Sequence, residues 1–194
     1  MNSQKPEETE KPPEETGFAP DDLTDGRKPG QWQTKYDDPI AKRAIRSETL
    51  YLCGWGAFSL AFLILIVLEL PQCWLGLSGK TFQYFNLCIG AWLAGTLGGT
   101  LFAIKWLYHA VAKNLWNIDR RLWRFFTPHI GGVLALLVIL IVSSGLFGFF
   151  EPDAVDKLPF VISLGFLTGY FSDSAAAKLA DIATSIFGKI KERR

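Results

Sequence analysis

The apolar residues of this chain are concentrated in four stretches that polar segments separate. Three of them, 50–70, 82–104 and 130–150, are 21 to 23 residues long, and the fourth, 158–177, starts with a shorter apolar run. An α-helix rises about 1.5 Å per residue, so roughly 20 residues cross the ~30 Å hydrocarbon core of a bilayer. The pattern therefore predicts an all-α polytopic membrane protein with four transmembrane helices in one domain, 50–177.

The polar segments predict three further parts. Residues 1–49 carry prolines and charges with little apolar surface to bury, which predicts a disordered tail that is acidic and then basic. The connection 105–129 and the C-terminal segment 178–194 repeat apolar side chains at helical spacing beside basic ones. Such amphipathic segments are expected to lie along the membrane surface.

Lys and Arg near the ends of the predicted spans are strongly segregated. Fourteen fall before the first span, between the second and third, or from residue 178 onward, whereas the other two connections contain only Lys80 and Lys157. Basic segments of membrane proteins remain in the cytoplasm. We therefore expect a multi-pass protein with both termini in the cytoplasm.

Small residues recur every four positions in two of the spans. The second span contains Ala91, Gly95, Gly99 and Ala103, and the fourth repeats the spacing with Gly165 and Gly169. Small side chains at this spacing allow helix backbones to approach closely in lipid. The pattern predicts a packing seam, which either joins helices of one chain or joins the subunits of a homo-oligomer.

Basic and aromatic side chains alternate in the connection 105–129. Arg120, Arg121 and Arg124 are interleaved with Trp116 and Trp123. Arginines attract anionic lipid head groups, and tryptophan rings favour the head-group layer. We expect these five residues to contact lipid head groups on the cytoplasmic side, with no need for a nucleic acid.

Residues that could carry chemistry are few and scattered. The acids Glu69 and Asp173 fall at opposite ends of the predicted bundle, and His109 and His129 are too far apart in sequence for a zinc motif. We therefore expect no catalytic, metal-binding or cofactor-binding site.

The three cysteines, Cys53, Cys73 and Cys88, also lack metal-ligand spacing. Two of them, Cys73 and Cys88, fall near the predicted outer face. They are either small apolar residues of the bundle or a disulfide on an oxidising side of the membrane.

The end of the fourth span has its own pattern. Ser172 and Asp173 offer capping oxygens and a negative charge where a following helix would begin, which predicts a hinge. The stretch Gly165–Gly188 resembles the C-terminal segment of a loose group of uncharacterised bacterial small membrane proteins. In that group an apolar span ends in a Gly-aromatic-Ser pattern and continues into a short amphipathic helix. The resemblance implies a bacterial inner membrane and carries no activity with it.

These features favour a non-catalytic integral membrane protein. It would act through self-assembly, or as a membrane anchor or scaffold for a cytoplasmic protein partner. The first alternative is a homo-oligomeric channel or membrane-perturbing effector, whose pore would be lined by polar side chains from several copies. The second is an enzyme or transporter with a site that the sequence does not reveal.

Overall fold

A computed structural model describes residues 36–70, 79–145 and 152–188, all of which belong to the unit Thr34–Arg194. Regular structure within these ranges is helical throughout, which confirms the all-α class. The helices are α1 (Pro39–Val67), α2 (Lys80–Ala112), α3 (Arg121–Ser143), α4 (Leu158–Tyr170) and α5 (Ser172–Phe187), with 3₁₀ turns at Ile118–Arg120 and Pro152–Asp156. The segments containing α1, α2 and α3 are long and apolar enough to cross a membrane, which fits a membrane protein.

The central helix is α2, against which α1, α3 and α4 pack. Helix α4 runs in the same direction as α2, because Gly90 lies beside Leu158 whereas Gly98 lies beside the backbone of Tyr170. The α2 backbone is therefore in contact with α4 over most of the shorter helix.

Helix α3 runs antiparallel to α2. Gly95 packs against Ala135, and one turn further along α2, Gly99 packs against Thr127. The start of α1, the end of α2 and the start of α3 consequently lie together. We call this the basic end of the bundle, since it gathers Lys42, Arg43, Arg46, Lys105, Arg120 and Arg121. The opposite end is called the far end.

The first helix begins earlier than the sequence indicated. Pro39 starts α1, and the Asp38 carboxylate caps it by accepting a 2.8 Å hydrogen bond from the Ile40 N–H. Pro is favoured in the first turn of a helix because it has no N–H to leave unpaired. The prediction of a disordered tail up to residue 49 is therefore wrong for residues 39–49, while 1–35 lie outside the described residues.

The connection 105–129 does not form a separate surface helix. Its first part continues α2 as far as Ala112 and its last part belongs to α3, so only residues 113–120 link the two helices. Helix α3 begins at Arg121 and passes through Pro128.

The fourth predicted span, 158–177, is not one helix. Helix α4 ends at Tyr170, Phe171 adopts φ −106° and ψ 38°, and a new helix begins at Ser172. The 13 residues of α4 span about 20 Å, which is shorter than a hydrocarbon core. Among the described residues, three helical segments are long and apolar enough to cross a membrane, and residues 172–177 belong to α5 rather than to a fourth such segment.

Candidate functional site

The predicted seam of small residues lies between helices of the same chain. A methyl group added to Gly95 would overlap Ala135 and lie 2.5 Å from the Gly131 carbonyl oxygen of α3. One added to Gly169 of α4 would overlap the Gly95 backbone. Three backbones thus meet where Gly95, Gly131 and Gly169 face one another, and no larger residue fits without moving a helix.

The remaining seam residues extend this contact along the bundle. A methyl group on Gly99 would lie 2.8 Å from the Thr127 carbonyl oxygen, and one on Gly165 would lie 2.9 Å from the Ala91 carbonyl oxygen. Ala91 and Ala103 are themselves completely buried. The structure therefore places the seam inside one copy of the chain, and α3, which the sequence pattern did not include, supplies part of it.

Hydroxyl groups near this contact bond to their own helices. Thr96 donates to the Trp92 carbonyl at 2.8 Å, Thr100 to the Thr96 carbonyl at 2.7 Å, and Thr168 to the Leu164 carbonyl at 2.8 Å. These three threonines are buried. They therefore line no water-filled path within one copy.

The main polar site lies at the basic end, where a buried ion pair joins α1 to α3. The Arg124 guanidinium donates to both carboxylate oxygens of Glu48, through Nε to Oε1 and through Nη2 to Oε2 at 3.3 Å. Glu48 is 0% exposed and Arg124 is 2% exposed. A charge removed from water needs such pairing, since burying it alone is very costly.

The segment between α2 and α3 completes this site. The Trp116 indole N–H donates to Glu48 Oε2 at 3.1 Å, and the backbone N–H of Trp116 donates to the Tyr36 hydroxyl at 3.0 Å. Tyr36 also donates to the Ala110 carbonyl of α2 at 3.5 Å. Together these bonds tie the residues that precede α1 to the other helices of the basic end.

A second pair of side chains joins α1 and α3 one turn deeper. The Tyr51 hydroxyl lies 2.8 Å from Nε2 of His129 and 3.2 Å from the Phe125 carbonyl oxygen. The Trp55 ring meets the His129 ring edge-on, with centroids 4.8 Å apart. We call Glu48, Tyr51, Trp116, Arg124 and His129 the polar cluster.

Helix positions explain why the cluster forms. On α1, Glu48 lies four residues after Ala44 and four before Leu52, both of which are buried, so it falls on the stripe that faces the bundle. On α3, Arg124 and Pro128 share a buried face in the same way. Glu48 was not among the residues predicted from the sequence, although a carboxylate on an apolar helical stripe is a signal for a buried basic partner.

The predicted head-group residues divide into two groups. Arg120 is exposed, as is Trp123 at 43%, so both are free to reach a lipid surface. Arg121 is half-buried, donating to Ser47 Oγ at 3.0 Å with its guanidinium 4.9 Å from the centre of the Phe125 ring.

The prediction of a head-group contact is wrong for Arg124, because its guanidinium points into the bundle and pairs with the Glu48 carboxylate. The indole of Trp116 is bonded to the same carboxylate. Both side chains therefore serve the polar cluster rather than a head group.

The predicted hinge lies at the junction of α4 and α5, but its chemistry differs from the expectation. Phe171 occupies the N-cap position of α5, and no side chain caps the helix. Ser172 is buried, and Asp173 lies in the first turn, where its charge suits the helix dipole. The expectation that Ser172 supplies a capping oxygen is wrong.

Other candidate metal ligands and reactive side chains are few in the described part of the chain. No group of three His, Cys, Asp or Glu side chains there could hold a metal ion. Cys53 is exposed and Cys88 half-buried. The alternative of a disulfide between Cys88 and Cys73 concerns a residue outside the described ranges.

An open groove of about 380 Å³ lies between α1, α2 and α4. Its lining is apolar except for one serine: Leu63, Ala94, Leu97, Ile162, Ser163, Phe166 and Leu167. Such a surface suits hydrocarbon chains rather than a polar substrate.

Comparison of the chain with family models, with curated proteins and with solved structures finds no match. The proposal below is therefore based on the polar cluster and on the contact of Gly95, Gly131 and Gly169, which we call the glycine contact.

Proposed function

We propose that this protein is a non-catalytic membrane anchor of a bacterial inner membrane that presents its N-terminal segment to a cytoplasmic protein. The basic end faces the cytoplasm in this proposal, since that end gathers Lys42, Arg43, Arg46, Lys105, Arg120 and Arg121, whereas the far end has Lys80 at the start of α2. Arg120 and Trp123 would contact anionic head groups there.

The buried pair of Glu48 and Arg124 is the observation that carries the proposal. It joins α1 to α3, and Trp116 donates hydrogen bonds both to Glu48 and to Tyr36, which precedes α1. A site in which every charge is paired inside the protein is suited to holding a segment in place.

The glycine contact supports the same conclusion. Backbones of α2, α3 and α4 touch at Gly95, Gly131 and Gly169, which leaves no room for a pore between them. A channel would therefore need several copies with a path between the subunits. The anchor role needs only one folded copy.

The test is site-specific photo-crosslinking in cells. One variant carries the crosslinking residue at Glu15 of the N-terminal segment, and the control carries it at Gly145 of the far end. The anchor role predicts one discrete protein adduct from Glu15 and none from Gly145. Ion flux through liposomes that contain the purified protein is measured in parallel. Equal labelling at the two positions, or a sustained ion flux, would overturn the proposal.

A further inference from the structure

The last helix turns back beside the bundle instead of continuing away from it. Helix α5 begins just after Tyr170, whose hydroxyl accepts a 3.5 Å hydrogen bond from Lys105 at the basic end. Seven residues after Ser172, Leu179 packs against a core cluster formed by Leu87, Ala91, Val138, Ile139, Val142, Val155 and Val161. Of these residues, Val161 is the one on α4, nine residues or about 14 Å before Tyr170.

One stripe of α5 faces the bundle. Ser172 is buried, and Ala175, Leu179 and Ile182 are half-buried at spacings of three and four residues. Helix α5 packs against α3 and α4 through this side. The opposite side, which we call the polar face of α5, consists of the exposed residues Ser174, Ala177, Lys178, Asp181 and Thr184.

The polar face of α5 carries charges beside Leu179, which packs against the apolar core cluster of the bundle. Lys178 and Asp181 are next to Leu179, and their side chains are 80% and 74% exposed. They form an ion pair with each other at 3.6 Å, which leaves most of both groups uncovered. Charged side chains within a bilayer normally face protein or a water-filled cavity, since hydrocarbon offers no partner.

We propose that the polar face of α5 binds the same face of a second copy of this chain. A two-fold axis would set Lys178 of each copy against Asp181 of the other, so that the face is complementary to itself. Ser174, Ala177 and Thr184 are small enough for the two helices to approach closely. The proposal depends on the membrane location, but not on the anchor role, which concerns the other end of the chain.

The first test is the mass of the full-length protein in lipid nanodiscs. The natural chain is expected at twice 21.7 kDa, and Lys178→Asp is expected to give a folded monomer. Adding Asp181→Lys to that variant restores opposite charges and is expected to restore the dimer. Lys178→Gln serves as a milder variant, and helical circular dichroism confirms that each variant is folded.

The second test is disulfide crosslinking of Ala177→Cys in a chain whose three cysteines are replaced by serine. The matched control retains only Cys53, which is exposed on α1. Crosslinked dimer from Ala177→Cys but not from Cys53 supports the proposal. A monomeric natural chain, a Lys178→Asp variant that stays dimeric, or equal crosslinking at the two positions would each overturn it.

Discussion

Replacing Arg124 by methionine should destabilise this protein far more than the loss of one surface arginine would. The substitution keeps a long side chain in place but removes the positive charge beside Glu48. The carboxylate then remains 0% exposed, with the Trp116 indole as its remaining described donor. Breaking a buried ion pair on one side typically costs about 3–5 kcal/mol, because an unpaired charge is left in the interior.

The same reasoning gives a different result when both partners are replaced. In Glu48→Leu with Arg124→Met, no charge is left buried, and two apolar side chains fill a similar volume. Such replacements are often neutral or stabilising, although here the Trp116 N–H loses its acceptor, at a cost of about 1 kcal/mol. The double variant is therefore expected to be more stable than either single variant.

The free energy of unfolding is measured by thermal melting in nanodiscs, with circular dichroism as the signal. For a chain of 194 residues, 3–5 kcal/mol corresponds to a fall of about 6–20 °C on the scale of soluble domains. Arg120→Met is the matched control, because Arg120 is exposed in the same segment. It should change stability by no more than about 0.5 kcal/mol.

The reasoning would be refuted if Arg124→Met melted within about 2 °C of the natural chain, which corresponds to less than about 1 kcal/mol. It would also fail if the double variant lost as much stability as the two single variants together. Additive losses of this kind are expected only of residues that do not interact.

Three further predictions concern other parts of the bundle. Gly169→Ala should lower the free energy of unfolding by at least about 1–3 kcal/mol in the same melting assay, or prevent folding, since the added methyl group meets the Gly95 backbone. Its control is Gly54→Ala, which has open space around it and should be neutral or stabilising. Tyr51→Phe should cost about 1 kcal/mol by removing the hydrogen bonds to His129 and Phe125, and an unchanged melting temperature would contradict this. The orientation is tested with cysteine-free protein into which Ser144→Cys at the far end or Lys113→Cys at the basic end is introduced. In sealed, right-side-out vesicles, a membrane-impermeant maleimide should label the first variant but not the second. The reverse result would contradict the proposed orientation.

The sequence alone determined the helical class and the presence of three long apolar helices. These follow from local properties, since about 20 consecutive apolar residues can satisfy their backbone in a membrane only as a helix. The small residues at 91, 95, 99 and 103 also identified the face of α2 that packs closely. Neither conclusion needed knowledge of which helix lies beside which.

Only the tertiary structure decided what those faces contact. The partners of Gly95 are Gly131 and Gly169, which are distant in the chain, so periodicity could not distinguish a contact within one copy from one between copies. Arg124 has the same sequence pattern as a lipid-facing arginine, and it is buried because Glu48 of α1 lies opposite it. Ser172 and Asp173 indicated a hinge near Phe171, but the direction of α5 could not be predicted, because packing against α3 and α4 turns this helix back beside the bundle.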